Sequence, residues 1–235
     1  MGAEYLVRHY RGVLGPRFRG FVASYKETDL WIGVDPDSYD PRMEDFAASR
    51  ARHYRLERES YAERNTEFIP SLRPLPRDVA APPIAAAMMA AAEAAGVGPM
   101  AAVAGAVAEF VGRDLEEAFH CREIAVENGG DLWLKFEDAI DVSIFAGPSP
   151  LSGKVGVSIG AEFSPLGLCT SSGTVGPSLS LGRADAAMIA CRISSGLSAA
   201  SADAWATALG NAVSTEADIE TALDLVSGAE GLLSA

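Results

Sequence analysis

Three stretches of this 235-residue chain combine residue types that can do chemistry. Asp203-Ala204-Trp205-Ala206-Thr207 places a carboxylate and a hydroxyl four residues apart, on one face of a helix. Both are hard oxygen donors suited to magnesium, which takes few protein ligands and fills its shell with water and substrate phosphates. The competing reading is structural: an Asp in a first helical turn favours the macrodipole, with Ser201 as the cap. Glu127-Asn128-Gly129-Gly130-Asp131 lies between two strand-like runs. It reads either as a hairpin turn, with Asn-Gly supplying positive φ, or as paired glycines that let a flat ligand or phosphate approach the backbone. In the second reading Glu127 and Asp131 are polar handles. Thr170-Ser171-Ser172-Gly173-Thr174-Val175-Gly176 is dense in hydroxyls and punctuated by glycine, a composition that binds phosphates and that also occurs in plain loops.

Other apparent motifs fail on context. Gly96-Val97-Gly98-Pro99-Met100-Ala101 imitates a dinucleotide fingerprint, but Ala85 to Ala95 before it is helical rather than β. Gly147 to Lys154 departs from a Walker loop in spacing, and Val155 stands where a Ser or Thr would bind magnesium. No G-x-S-x-G elbow accompanies the hydroxyl-rich segment. His9, His53 and His120 are too scattered to form one site.

The elements that must position these stretches read as strands, then helices, then strands, then helices. Phe18 to Tyr25 and Asp29 to Val34 form a hairpin through Lys26-Glu27-Thr28. A helix is expected from Met43 to about Glu67; its Arg50, Arg52, Arg55, Arg58 and Arg64 alternate with Glu57, Glu59 and Glu63, the pattern of a solvated, ion-paired face. A proline-rich connector, Ile69 to Pro76, precedes two alanine-rich helices, Pro83 to Ala95 and Met100 to Ala118. Short strands follow at Glu123 to Glu127, Leu132 to Phe136, Val142 to Phe145, Val155 to Ile159, Ser178 to Leu181 and Ala186 to Arg192. Helices from Ala202 to Val213 and Glu216 to Val226 close the chain. Segregated strand and helix runs predict an α+β fold, and the absence of a long polar linker predicts a single domain over residues 1–235.

Composition narrows the function classes. Half the residues are apolar (49%) and 22% are charged, so the chain buries a core. The net charge of −13 falls entirely after residue 80 and argues against binding a nucleic-acid backbone. Cys121, Cys169 and Cys191 lack C-x-x-C spacing and suit reduced thiols in a cytosol. No export signal or spanning segment is apparent, so a cytoplasmic protein away from membranes is expected.

Taken together and in order, these segments resemble the ApbE-like superfamily, whose best-known members are magnesium-dependent flavin transferases. The likeness rests on Gly98-Pro99-Met100-Ala101-Ala102-Val103-Ala104-Gly105, Val126 to Asp131, Thr170 to Gly173 and Ala202 to Thr207. Lys26 to Leu30 and Ser178 to Asp185 look closest to a small, mostly uncharacterised bacterial and archaeal branch. The resemblance implies an α+β fold with T-fold-like features, mostly antiparallel sheet and packed helices. It implies binding of FAD or FMN with Mg2+. The metal would lie on Asp203, Thr207 and a main-chain carbonyl from the small-residue helix start. Asn128, Gly129, Gly130 and Asp131, with Thr170, Ser171, Ser172 and Gly173, would line the nucleotide pocket.

The chemistry so implied is FMN transfer to a Thr or Ser of an acceptor protein, or FAD hydrolysis. The alternatives are a non-catalytic flavin or nucleotide module and a scaffold that binds neither; a homodimer is compatible with each reading. Transferases of the superfamily usually carry a His shortly after the T-S-G segment; here Pro177 follows T-V-G, leaving Asp185 or Asp203 as the candidate base and Asp203 as the catalytic assignment.

Overall fold

The protein is described from a computed structural model over residues 17–173, 181–193, 196–229 and 231–234. The expected strand residues 178–180, the glycine-punctuated stretch 174–176, Pro177 and His9 lie outside the described residues.

Strands β1 (Arg19–Tyr25), β2 (Thr28–Val34), β3 (Ile124–Asn128), β4 (Asp131–Lys135), β7 (Leu166–Ser171), β8 (Ala187–Arg192) and β9 (Leu232–Ser234) form one sheet in the order β1-β2-β3-β4-β7-β8-β9. Every pairing in it is antiparallel. Between β4 and β7 the chain makes a separate hairpin, β5 (Ile140–Ser143) with β6 (Gly156–Ile159). The helices are α1 (Arg42–Arg64), α2 (Pro83–Ala95), α3 (Val103–Phe119), α4 (Ala199–Ala212) and α5 (Ile219–Ser227). This is the expected α+β architecture with a mostly antiparallel sheet.

Local sequence explains the helix ends. Pro83 opens α2, where a missing N–H is harmless, and Gly96 closes it at φ 71°. A short 3-10 turn, Pro99–Ala102, leads into α3, which His120 ends at φ 55°. The buried face of α1 carries Met43, Ala47, Ala51, Tyr54 and Tyr61, with Tyr54 against Phe110 of α3 and Tyr61 against Met89 of α2, while Arg55 pairs with Glu59. No single helix is long and apolar enough to cross a membrane; α2 and the Pro99–Phe119 stretch meet the length criterion only jointly, across a bend of 105°.

The sheet separates two cores, and strand parity assigns each side chain to one of them. Trp133 faces the helices and lies so close to Gly112 of α3 that a Cβ there would collide with the indole. Its neighbours Leu132 and Leu134 face the other way, where Leu166, Leu168 and Trp31 pack beneath β5 and β6. The same alternation sends Asn128 and Asp131 toward the helices and Glu127 toward the opposite face.

Two strands escape the sequence pattern. β7 was expected as the start of a loop, yet Thr170 and Ser171 pair with Met188 and Ala187 at its end. Only Thr170 in it is β-branched, and Gly167 stands inside it because Ala199 of α4 comes so near that a Cβ would sit 2.6 Å from the Ala199 Cα. β9 is only three residues long and has no periodicity to read.

Candidate functional site

Helix α4 is the centre of the site, and its composition dictates its place. Alanine, glycine and short polar residues occupy nearly every position, and all but a few are buried. Small side chains allow α4 to pack against α2 and α3 on one side and against β7 and β8 on the other. Ser198 is its N-cap: the Ser198 hydroxyl accepts from the Ser201 N–H while the Ser201 hydroxyl accepts from the Ser198 N–H. The helix therefore starts earlier than the expected Ala202, and Ser201 is the third helical residue rather than the cap. Asp203 is consequently past the first turn. Glu109 of α3, buried and paired with Arg113 at 2.6 Å, completes the cap by accepting from the Ala199 N–H at 2.6 Å.

Asp203 does meet a helix N-terminus, but that of α3. Its Oδ2 accepts from the Gly105 N–H at 2.9 Å, in the first turn of that helix. A Cβ on Gly105 would collide with the Ala199 carbonyl oxygen and approach the Asp203 Cβ to 2.9 Å, so the two helices meet backbone to backbone. Burial, and then the negative charge of Asp131, push the Asp203 carboxyl well above the usual carboxylate range, against the pull of the Gly105 and Ala104 backbone. Asp203 is 8% exposed and Asp131 7%.

The glycine turn and the hydroxyl segment arrive at the same place. Gly129 and Gly130 are the two central residues of the β3–β4 hairpin, with φ of 71° and 107°, and Asn128 pairs with Asp131 across it. Positive φ is thus supplied by the two glycines and not by Asn128. Glu127 Oε1 accepts from the Gly130 N–H at 2.8 Å and so fixes the turn. Asn128 Nδ2 donates to the Ala104 carbonyl at 3.1 Å, tying the turn to the start of α3. Asp131 Oδ1 accepts from the Thr170 N–H at 3.2 Å, and the Thr170 carbonyl lies 3.8 Å from where a Gly130 Cβ would be. Strand parity turns the Thr170 side chain to the face away from α4 and puts Ser171 on the α4 face. Ser172 and Gly173 follow, with the Gly173 N–H donating to the Ala184 carbonyl.

Thr207, one turn beyond Asp203, is 6% exposed and lines a cavity of about 20 Å³ with Leu72, Gly98, Ala101, Leu181 and Asn211. That volume holds about one water. Asn211, a further turn on, accepts from the Leu181 N–H at 2.6 Å. Asp203, Thr207 and Asn211 are spaced four apart, a helical stripe the sequence displays and whose last member was overlooked. Glu109 was also missed, and for Gly105 nothing local marks the close approach of α4, since both roles are supplied by another helix.

Nucleophiles of other kinds are poorly placed. Burial raises the Cys169 thiol well above its ordinary value and the Cys191 thiol to about 12, and both donate to backbone carbonyls at the start of α4. His53 sits beside Glu57 on α1, and His120 ends α3, about 22 Å along the helix from Gly105. Among the described residues no three His, Cys, Asp or Glu side chains are grouped to hold a metal. Asp131, Asp203 and Thr207 carry oxygen donors, the atom type that a hard cation takes.

Comparison with known proteins bears on the family and on the fold. A family model described as AbpE bacteria matches residues 13–225. A UPF0280 protein of Methanococcus aeolicus is 39% identical over 190 residues, covering 80% of this chain and 73% of that one. Another from Methanocaldococcus jannaschii is 39% identical over 189 residues, covering 80% and 72%. In fold the chain is similar to the apo form of Pseudomonas stutzeri flavinyl transferase ApbE, with a TM-score of 0.54, 13% identity, and coverage of 89% of this chain and 87% of that one.

Proposed function

The chain belongs to the AbpE bacteria family, and we propose that it binds a flavin nucleotide, FAD or FMN, together with magnesium beside α4. Asp203 and Thr207 hold the cation in this reading, and Asn128 to Asp131 and Thr170 to Gly173 border the nucleotide. The observation that carries it is the convergence of three segments distant in sequence: Asp203 bonded to Gly105, Asn128 to Ala104, and Asp131 to Thr170. A buried carboxylate next to a second one is unfavourable alone and favourable around a divalent cation.

When bound, magnesium would offset the charge of a pyrophosphate and so permit its cleavage. The chain's own contribution is positional. The Gly129-Gly130 turn offers backbone without side chains, and Ser171 and Ser172 offer hydroxyls. Asp203 is the candidate proton acceptor for an attacking Thr or Ser hydroxyl of an acceptor protein, or for water. The first outcome is FMN transfer and the second FAD pyrophosphatase activity.

The remote positions of His53 and His120 favour a second reading, a flavin-binding module without turnover. Thermal melts with FAD and magnesium test the shared part. Ligand at about a hundred times its dissociation constant adds roughly 2.7 kcal/mol, or about 5–10 °C for a chain of this size. No shift with FAD and magnesium would remove both readings. Appearance of FMN and AMP, or of FMN on a peptide hydroxyl, separates enzyme from module.

A further inference from the structure

By residue type Asp131 is a polar handle for a nucleotide, yet its surroundings suit a different partner. It opens β4 on the helix-facing side, two residues before Trp133, which packs on Gly112 of α3. Cys169, on the neighbouring strand, reaches the Ala199 carbonyl of α4 at 3.3 Å and feels the charge of both Asp131 and Asp203. The two carboxylates therefore flank one spot from opposite layers, sheet and helix. One oxygen of each is engaged by a backbone amide, Thr170 N–H for Asp131 and Gly105 N–H for Asp203. Among the described residues no Lys or Arg pairs with Asp203. A further oxygen donor stands one turn along α4, the hydroxyl of Thr207, a residue 6% exposed.

A carboxylate repels a phosphate, and a divalent cation placed between them would turn that repulsion into attraction. We infer that Asp131 is a second carboxylate ligand of the cation site, sharing with Asp203 and Thr207 one divalent ion that bridges β4 to α4. The inference rests on the cation reading above and deepens it. It makes metal binding precede and not require the nucleotide, because the protein supplies two negative charges and a hydroxyl from elements already packed together.

Titration of the full-length protein with Mn2+ alone, free of nucleotide and followed by electron paramagnetic resonance, tests it. Wild type should take up one ion, and Asp131→Asn should weaken uptake at least tenfold, as should Asp203→Asn. Asparagine keeps the oxygen that accepts the Thr170 N–H, so Asp131→Asn should melt in EDTA at or above wild type. Should that variant not fold, Asp131→Ser is titrated instead with the same expectation. Wild-type affinity in either Asp131 variant, with loss in Asp203→Asn, overturns the role of Asp131 and leaves the Asp203 and Thr207 site standing. No uptake by wild type, or equal uptake by wild type and Asp203→Asn, overturns the cation site altogether.

Discussion

The Gly105 N–H donates to Asp203 Oδ2 at 2.9 Å, joining the first turn of α3 to the second turn of α4 across 98 residues of sequence. This bond places a carboxylate at a helix N-terminus without exposing it to water. It depends on glycine, because any Cβ at residue 105 would displace α4.

Gly105→Ala should therefore destabilise the protein by about 1–3 kcal/mol, the range for an extra methyl forced into a packed contact. Gly228→Ala is the control, since a Cβ there meets nothing within 4 Å and Gly228 has an ordinary helical φ of −89°. Thermal or urea denaturation reads both. Equal melting of the two variants would show that α3 and α4 are not in backbone contact.

The raised carboxyl of Asp203 gives stability a definite pH dependence. Its folded value lies above its unfolded value, so in between the folded state holds an extra proton, and stability falls as pH rises through that window. Asp203→Asn removes this loss. In EDTA the variant should melt above wild type, with a gap that widens with rising pH until the folded carboxyl is fully ionised and then levels off. Magnesium should raise the wild-type melting temperature most at the alkaline end and leave the variant unmoved. A gap that narrows with pH would contradict the burial of this charge.

Glu109 should matter more than its distance from the cavity suggests. Glu109→Ala strips the acceptor from the Ala199 N–H in a buried setting and loosens the start of α4, at a cost of about 1–3 kcal/mol. Glu109→Gln keeps an acceptor and should lose less. Denaturation of both variants, alongside the magnesium-dependent shift, would separate weakened capping from a disturbed Asp203.

The thiols should be inert in the native state. Cys121, Cys169 and Cys191 are all buried, and burial pushes Cys121 up to about 11 and Cys191 to about 12. Labelling by a thiol reagent at neutral pH should proceed only as fast as the protein opens and reach all three together in denaturant. Rapid stoichiometric labelling of one thiol in buffer would disprove it.

Much of the architecture was readable from local pattern. The charged helix, the two alanine-rich helices and the β1–β2 and β3–β4 hairpins carry their own periodicity, caps and turn glycines, so short-range physics specifies them. β7 was not readable, because its Gly167 and its hydroxyl end answer to α4 packing on it rather than to strand preference. The same limit applied to α4 itself. Its true cap, Ser198, lies outside the expected span, and its buried Asp203 looked like an ordinary first-turn residue.

The chain alone determined which residue types were on offer: a carboxylate and a hydroxyl four apart, a glycine pair in a turn, a run of hydroxyls. Tertiary structure decided which of them meet. It brought Asp131 of β4 and Asp203 of α4 close enough for their charges to interact and turned the Thr170 side chain to the opposite face of the sheet, leaving its backbone to serve Asp131. The reason is that side-chain direction follows from strand parity and helix phase, which sequence displays, whereas the distance between elements follows from packing of small residues such as Gly105 and Gly167, which only the assembled chain expresses.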